Sequence, residues 1–300
     1  MSQPLAASNI FDLTGAVALV TGGGTGLGLI AALALATNGA KVYITGRRKE
    51  KLDQAVNAHS QGLKGSLVAI QGDVGSKDDL IRIAAEVEKA DGKLHVLINN
   101  AGVEGPVTNL GDDPSKLSVE EYSRMHLENE SVADWDALFR VNTHAVFFAT
   151  MAFLPLLSRA NAAPPAGAAG KAFSASVINI TSISGIVKMC QNHYAYNASK
   201  AAANHITQMM SHELRFRTNL GLRFNAIAPG LFASEMTTKQ SDDQGRSDPN
   251  NLGAHANPAG RGGQESEFAG LVLLLASNAF MTGQVVAVDG GFVSAVSAAR

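Results

Sequence analysis

The amino-acid sequence predicts an α/β fold: a doubly wound, seven-stranded parallel sheet with helices on both faces. Two observations lead to this prediction. Short apolar runs rich in β-branched residues recur along the chain, as buried strands require. Most of these runs are followed by a longer stretch with helical character before the next apolar run begins. Such alternation at short intervals is typical of a parallel sheet covered on both sides.

The individual elements follow from residue composition and from residues that end helices. Asn38 and Gly39 end the first long helix, because both tolerate a left-handed conformation. The stretch 194–215 is rich in Ala, Met and Leu and contains no Pro or Gly. The predicted strands are 15–20, 41–44, 66–70, 94–98, 177–180, 222–227 and 285–288. The predicted helices are 29–37, 49–58, 77–89, 132–157, 194–215 and 265–276.

Three segments fit neither pattern. Residues 103–130 are polar and interrupted by prolines, and 158–176 are rich in Ala, Gly and Pro, as in a surface loop or flap. Residues 231–263 are polar and long for a connection, which predicts a substrate loop or lid. The chain shows no repeat and no linker-like break, so we expect a flexible leader over 1–10 and a single domain over 11–300.

Composition narrows the possible partners and the compartment. The 24 basic and 26 acidic residues nearly cancel, so neither a nucleic acid nor an anionic membrane is expected as a partner. No secretory signal is evident, and no apolar run approaches the ~20 residues of a membrane span. Cys190 is the only cysteine, which excludes an intrachain disulfide, and no metal-ligand spacing is apparent. We therefore expect a soluble, cytoplasmic protein without a metal.

A glycine-rich turn follows the first predicted strand and precedes the first long helix. In this position small residues let backbone N–H groups approach a pyrophosphate, and the helix N-terminus favours its negative charge. The alternative is a tight turn without a ligand. The strand–turn–helix context favours a dinucleotide site and a Rossmann-like sheet. The candidate residues in this turn are Gly22, Gly24, Thr25, Gly26, Leu27 and Gly28.

Two arginines, Arg47 and Arg48, follow the second predicted strand. Dinucleotide folds that bind NAD place an acid there for the adenosine ribose, and this chain has none. Guanidinium groups suit the 2′-phosphate of NADP, which they bind bidentately. The alternative is a solvated basic loop. The sequence favours NADP(H) as the cofactor.

Ser182, Tyr196 and Lys200 form a candidate catalytic set. Ser182 follows a predicted strand, and Tyr196 and Lys200 lie four residues apart on one face of a predicted helix. An ammonium close to the phenol would lower the phenol pKa by ~2–3 units, which requires roughly 3–4 kcal/mol. Tyr196 would then exchange a proton with a substrate oxygen that Ser182 holds. Taken alone, the Tyr–Lys pair is equally compatible with a half-buried helix pair.

With these motifs in this order, the chain resembles the short-chain dehydrogenase/reductase family, and most closely its NADP-preferring fungal ketoreductases. The motifs are Thr21-Gly22-x-x-x-Gly26-x-Gly28, Asn99-Asn100-Ala101-Gly102, Ser182, Tyr196-x-x-x-Lys200, Pro229-Gly230 and Asp289-Gly290-Gly291. The resemblance extends from about Phe11 to Phe292, nearly the whole chain.

The resemblance implies specific roles. Tyr196 would be the general acid/base, Ser182 would orient the reacting oxygen, and Lys200 would bind the nicotinamide ribose and lower the Tyr196 pKa. Asn142 would hold a water of the proton relay. Ser234 stands where the family often has Thr, and its hydroxyl can do the same work at the nicotinamide. The further cofactor contacts that the resemblance implies are Asp73, Val74, Asn100, Ala101, Gly102, Pro229, Gly230, Phe232 and Ser234.

The function expected from this set is NADPH-dependent reduction of a ketone or other carbonyl of a small organic molecule to an alcohol. Three alternatives remain open: NAD(P)-dependent alcohol oxidation, a non-catalytic NADP-binding regulatory protein, and dehydration or epimerisation on the same scaffold. The resemblance also implies a homodimer or homotetramer formed through the helices at 132–157 and 194–215. Cys190 and His193 lie near the site in sequence, but nothing marks either as a catalytic group.

Overall fold

A computed structural model describes residues 5–111, 113–218, 220–252 and 257–296. Within these ranges, seven strands form one parallel sheet in the order β3-β2-β1-β4-β5-β6-β7. This confirms the predicted fold class. The strands are β1 Val17–Thr21, β2 Lys41–Gly46, β3 Ser66–Gln71, β4 Val96–Asn99, β5 Ser176–Ile180, β6 Arg223–Pro229 and β7 Val285–Val288.

Helices connect the strands and cover both faces of the sheet. Two π-helical segments, Arg140–His144 and Glu213–Arg217, adjoin the longer ones. The α-helices are α1 Ala7–Ile10, α2 Gly26–Thr37, α3 Lys49–His59, α4 Lys77–Asp91, α5 Val119–Asn129, α6 Val132–Phe139, α7 Ala145–Ala162, α8 Tyr194–His212, α9 Glu235–Thr238, α10 Glu265–Ser277 and α11 Phe292–Ala295.

Two hydrophobic layers hold the sheet between its helices. On one face, Leu35 of α2 and Phe268 of α10 belong to a buried cluster with apolar residues of the central strands. On the other face, Ile83 of α4, Phe153 of α7 and Met210 of α8 form the second cluster. Because the central strands are covered on both faces, apolar residues occupy consecutive positions in them, as at 17–20 of β1.

The strand order creates a switch point between β1 and β4. The chain builds β1, β2 and β3 toward one edge, then returns to place β4 on the other side of β1. The two connections leave the carboxyl ends of β1 and β4 in opposite directions and open a crevice there. Ligands of doubly wound sheets bind in this crevice.

The segment 103–130, predicted to be irregular, contains the helix α5. Its N-terminus is a capping box: Glu121 N–H donates to Ser118 Oγ at 3.1 Å, and Ser118 N–H donates to Glu121 Oε2 at 2.9 Å. At the other end, Glu130 accepts hydrogen bonds from Thr108 and Trp135. Local capping and this half-buried carboxylate therefore stabilise a helix that has no buried apolar face.

The segment 158–176 is also more ordered than a surface loop or flap. Helix α7 continues to Ala162, and Ala166–Ala168 forms a 3₁₀ turn. Gly167 is buried there, and its N–H donates to Thr14 O at 2.8 Å. This contact ties the segment to the chain before β1.

The predicted leader and lid are described only in part. Residues 1–4 of the leader, 253–256 of the lid and the C-terminal residues 297–300 lie outside the described residues. The described part of the leader contains α1, and the described part of 231–263 contains α9 and a 3₁₀ turn at Pro249–Asn251.

One helical stretch of the described chain is long and apolar enough to cross a membrane. It comprises α6, the first π-helical segment and α7, and spans Val132–Ala162. Half of its most apolar part is buried inside the protein, where Phe153 and Leu157 belong to the core. The expectation that no stretch reaches this length is therefore corrected. The helix by itself is weak evidence for a membrane, since core helices meet the same criterion.

Candidate active site

A cleft of about 320 Å³ lies at the carboxyl ends of the strands, over the switch point. It is lined by the glycine turn, by residues that follow β2 to β6, and by the start of α8. The structure brings nearly all of the predicted site residues together in this cleft. They are Gly22, Gly24, Thr25, Gly26, Leu27, Gly28, Arg47, Arg48, Asp73, Val74, Asn100, Ala101, Gly102, Ser182, Tyr196, Lys200, Pro229, Gly230, Phe232 and Ser234.

The glycine turn is a tight cradle held by Asn100. A Cβ atom on Gly28 would lie 2.1 Å from Gly22 O, and Gly22 itself has φ +63°, so neither position accepts a side chain. Asn100, at the end of β4, donates from Nδ2 to Thr21 O at 3.0 Å and to Gly22 O at 3.1 Å. The turn is therefore fixed to the neighbouring strand, and the N-terminus of α2 faces the cleft.

The two arginines after β2 have different surroundings. Gln71 Nε2 donates to the backbone carbonyl of Arg47 at 2.9 Å, and no carboxylate of the described chain pairs with the Arg47 guanidinium. Arg48 donates from Nη2 to Glu235 Oε2 at 2.6 Å. Next to them, after β3, Asp73 Oδ1 accepts the Gly75 N–H at 2.8 Å, which fixes the turn around Val74.

Ser182, Tyr196 and Lys200 meet at the other end of the cleft. Ser182 follows β5, and its Oγ accepts the Ser184 N–H at 3.1 Å. Helix α8 places Tyr196 and Lys200 one turn apart, with Lys200 Nζ over the Tyr196 ring at 5.6 Å from its centre. Lys200 Nζ donates to Ile180 O, the last carbonyl of β5, at 3.2 Å. The ammonium therefore lies between the end of the strand and the phenol ring.

The pKa values of this group differ from the expectation based on sequence. Burial is the main cause that raises the pKa of Tyr196, and the charge of Glu104 adds to the rise, while a hydrogen bond with Ser182 partly offsets it. Burial also lowers the pKa of Lys200 to about 8. The expected lowering of the Tyr196 pKa by Lys200 is not seen, because desolvation of the buried phenol dominates.

Asn142 is the predicted site residue that does not line the cleft. It is buried in the first π-helical segment, a deviation from α-helical geometry that often marks functional positions. Its Nδ2 donates to Val103 O at 2.9 Å and to Ser199 Oγ at 3.1 Å, and its Oδ1 accepts the Val103 N–H at 2.9 Å. In this structure Asn142 fixes the backbone beside Lys200, and its role at a relay water stays a prediction.

Some lining residues were not predicted from the sequence. Glu235 is one of them, and its partner Arg48 lies 187 residues away along the chain, so no local signal joins the two. The others are Gly46, Lys51, Leu52, Gly72, Val103, Val141, Ile180, Thr181, Met236 and Thr237. Thr181 adjoins Ser182, and Met236 and Thr237 follow Ser234, so extending these motifs would have found them.

Two neighbours of the site remain outside it. The His193 ring lies 6.2 Å from the Tyr196 ring, in an edge-on arrangement, and Cys190 is a half-buried free thiol. Neither residue lines the cleft. Across the described ranges, no group of three or more His, Cys, Asp or Glu side chains could hold a metal ion.

Comparison with known proteins identifies the family. The family model for short chain dehydrogenases matches residues 16–245. The fungal short-chain dehydrogenase/reductase PhomF of Diaporthe leptostromiformis is 38% identical over 296 residues, which cover 98% of this chain and 97% of PhomF.

Two solved structures share the fold over nearly the whole chain. The complex of Pseudomonas aeruginosa RhlG with NADP is 33% identical, with a TM-score of 0.75 and coverage of 95% of this chain and 99% of that one. The NADPH-dependent 3-quinuclidinone reductase from Rhodotorula rubra is 25% identical, with a TM-score of 0.75 and coverage of 97% and 96%. The resemblance seen in the motifs is thus confirmed, and the chain belongs to the short-chain dehydrogenase/reductase family of oxidoreductases.

Proposed function

We propose that this protein is an NADPH-dependent reductase that converts a ketone or other carbonyl of a small organic molecule into an alcohol. The observation that carries the proposal is the meeting of Ser182, Tyr196 and Lys200 at one end of a cleft that begins at the glycine turn. A relative solved with NADP and a relative described as an NADPH-dependent ketone reductase support the same cofactor and direction.

The residues of the cleft fit NADP(H). The turn at Gly22 and Gly28 has no room for side chains, and backbone N–H groups at the start of α2 suit a pyrophosphate. The Arg47 guanidinium, which has no carboxylate partner within the described chain, suits the 2′-phosphate. Lys200 offers N–H donors to the ribose at the opposite end. When bound, NADPH supplies the hydride that reduces the carbonyl carbon.

The protein's own residues supply the proton and hold the oxygen. The raised pKa of Tyr196 keeps its phenol protonated at neutral pH, as a proton donor to a carbonyl oxygen must be. Ser182, which lines the same end of the cleft as Tyr196, would offer its hydroxyl to the same oxygen. Tyr196 would give its proton to the carbonyl oxygen as the carbon is reduced, and solvent would return a proton to the phenolate beside Lys200.

Turnover of NADPH by the Tyr196→Phe variant tests this proposal. Oxidation of NADPH is followed with a panel of ketones and quinones, and the alcohol product is identified. We expect Tyr196→Phe to slow turnover by about a hundredfold to ten-thousandfold and to leave NADPH affinity unchanged. Normal turnover in the variant would contradict the assigned role of Tyr196. Product formation without net NADPH consumption would instead indicate dehydration or epimerisation.

We also propose that the protein is a homodimer or homotetramer formed through α7 and α8. The supporting observation is apolar surface on both helices: Phe147 and Phe148 of α7 are 43% and 42% exposed, and Met209 of α8 is 46% exposed. Paired aromatic side chains at this exposure suit a protein interface. Sedimentation equilibrium of the purified protein tests it, and a monomer mass at micromolar concentration would contradict it.

A further inference from the structure

The segment after β6 carries an acid over the nucleotide end of the cleft. Glu235, the first residue of α9, places Oε2 at 2.6 Å from Arg48 Nη2. The same oxygen accepts the Thr25 hydroxyl of the glycine turn at 3.2 Å. Glu235 belongs to the predicted substrate segment 231–263, and its carboxylate thus contacts two residues of the predicted cofactor site.

Several contacts fix the position of this carboxylate. Ser241 Oγ donates to Glu235 Oε1 at 2.6 Å. Farther along the same segment, Lys239 Nζ forms an ion pair with Glu104 Oε2 at 2.6 Å, which joins the segment to the chain after β4. Burial opposes ionisation of Glu235, but the hydrogen bonds from Arg48, Ser241 and Thr25 lower its pKa overall. The carboxylate is therefore charged at neutral pH.

Only one of the two arginines, Arg48, is paired with a carboxylate of the described chain. Within the described residues, the Arg47 guanidinium has no acidic partner, whereas the Arg48 guanidinium already forms an ion pair with Glu235. A 2′-phosphate that approached Arg48 would meet this carboxylate beside the same guanidinium. The carboxylate and the 2′-phosphate of NADP(H) would compete for this one guanidinium, whereas NAD(H), which carries a neutral hydroxyl at that position, would not.

We propose that Glu235 is a specificity-determining residue whose carboxylate competes with the 2′-phosphate of NADP(H) for Arg48. The inference rests on the proposed NADP(H) site and adds an acid from the substrate segment to it. Binding of NADP(H) separates Glu235 from Arg48, whereas binding of NAD(H) leaves the pair intact. Glu235 therefore reduces the preference for NADP(H) that the two arginines alone would give.

Parallel fluorescence titrations of NADPH and NADH test the inference on purified wild-type protein and variants. We expect Glu235→Gln to lower the Kd for NADPH about fivefold and to change the Kd for NADH less than about twofold. In an Arg48→Met background, the same substitution should lose most of its effect on NADPH. Ser241→Ala, which loosens Glu235 without removing its charge, should shift the NADPH Kd in the same direction by a smaller factor.

The matched control is Glu128→Gln, which neutralises an acid of the same type in an exposed ion pair with Arg124 on α5. It should bind both cofactors as the wild type does. Tight NADPH binding by the wild type with no gain in Glu235→Gln, or an equal gain for both cofactors, would overturn this inference alone. Failure of the wild type to bind either cofactor would overturn the proposed function as well.

Discussion

Two buried cations, Arg223 and Lys200, occupy opposite kinds of site in this protein. Arg223 begins β6 and is 1% exposed, and Lys200 on α8 is 4% exposed. No carboxylate of the described chain pairs with either, and burial lowers the pKa of both, to about 10 for Arg223 and about 8 for Lys200. Their burial is alike, so the difference between them lies in their hydrogen bonds.

The guanidinium of Arg223 is satisfied by the protein. It donates to the hydroxyl of Ser174 at 2.9 Å, to Leu275 O at 2.6 Å and to Ala276 O at 2.8 Å. The last two carbonyls belong to the final turn of α10, where the helix dipole concentrates partial negative charge. Arg223 therefore joins β6 to the end of α10 and has no surface toward the cleft.

The described chain satisfies only one of the hydrogen-bond donors of the Lys200 ammonium. The ammonium donates to Ile180 O at 3.2 Å, and its remaining N–H donors meet no other hydrogen-bond acceptor within the described chain. Unlike Arg223, Lys200 lines the cleft. A buried charge with unused donors costs stability, and it is retained where a ligand completes its hydrogen bonds. The comparison therefore favours a structural role for Arg223 and supports the functional role proposed for Lys200.

The largest expected effect that tests this contrast is on turnover in Lys200→Met. We expect turnover to fall about a thousandfold. The free energy of unfolding should not fall, and it should rise by up to about 3 kcal/mol, because the lowered pKa measures the cost of burying the charge. Steady-state kinetics and urea unfolding measure the two effects. The exposed Lys89→Met is the control, and a clear loss of stability in Lys200→Met would contradict the contrast.

The opposite result is expected for Arg223→Met. Removing the guanidinium leaves the carbonyls of Leu275 and Ala276 without this donor in a buried place, so we expect a loss of about 3–5 kcal/mol of unfolding free energy. Turnover per folded molecule should stay near the wild-type value. Urea unfolding and active-site titration with NADPH check both points. A stable but inactive variant would refute the structural assignment.

The pH dependence of stability sharpens the comparison further. Folding lowers the pKa of Lys200 from 10.5 to about 8, so the unfolded chain binds more protons between these values. The wild type should gain stability relative to Lys200→Met as pH rises from 8 toward 10, by about 1.4 kcal/mol per pH unit. Urea unfolding at a series of pH values measures the difference. A flat difference over this range would mean that Lys200 does not bury its charge.

The smallest expected effect is that of Ser174→Ala. This substitution removes the hydroxyl that accepts from Arg223 Nε and leaves the Ser174 backbone carbonyl in place. We expect a loss of about 1 kcal/mol of unfolding free energy, since one hydrogen bond of several is lost. Thermal and urea unfolding detect such a change. A loss as large as that of Arg223→Met would show that the hydroxyl, rather than the helix carbonyls, carries the stabilisation.

The sequence was sufficient for the fold and for the two main motifs of the cleft, the glycine turn and the set of Ser182, Tyr196 and Lys200. Short runs rich in apolar, β-branched residues identify the strands, because the central strands of a parallel sheet are covered on both faces. The glycine turn, Ser182 and the Tyr196–Lys200 pair are local patterns, and their positions at strand ends follow from the alternation of strands and helices. The structure gathers all of these residues along one cleft.

The remainder depends on contacts that the sequence does not reveal. Arg223 donates to carbonyls about fifty residues away. Every residue has a backbone carbonyl, so the sequence does not indicate which ones accept these hydrogen bonds. The pairing of Arg48 with Glu235 joins positions 187 residues apart. Spacing also placed Lys200 near Tyr196, but the burial of the phenol, which decides the direction of the Tyr196 pKa, follows from the tertiary structure.

Parallel fluorescence titrations of NADPH and NADH on the wild type and on Arg47→Asp test the central claim most directly. We expect a clear preference for NADPH in the wild type and its loss in Arg47→Asp, because the free guanidinium beside β2 would then be replaced by an acid. Equal affinities, or a preference for NADH, would contradict the NADP(H) assignment and favour an oxidative alcohol dehydrogenase. Binding of neither cofactor would contradict the proposed function itself.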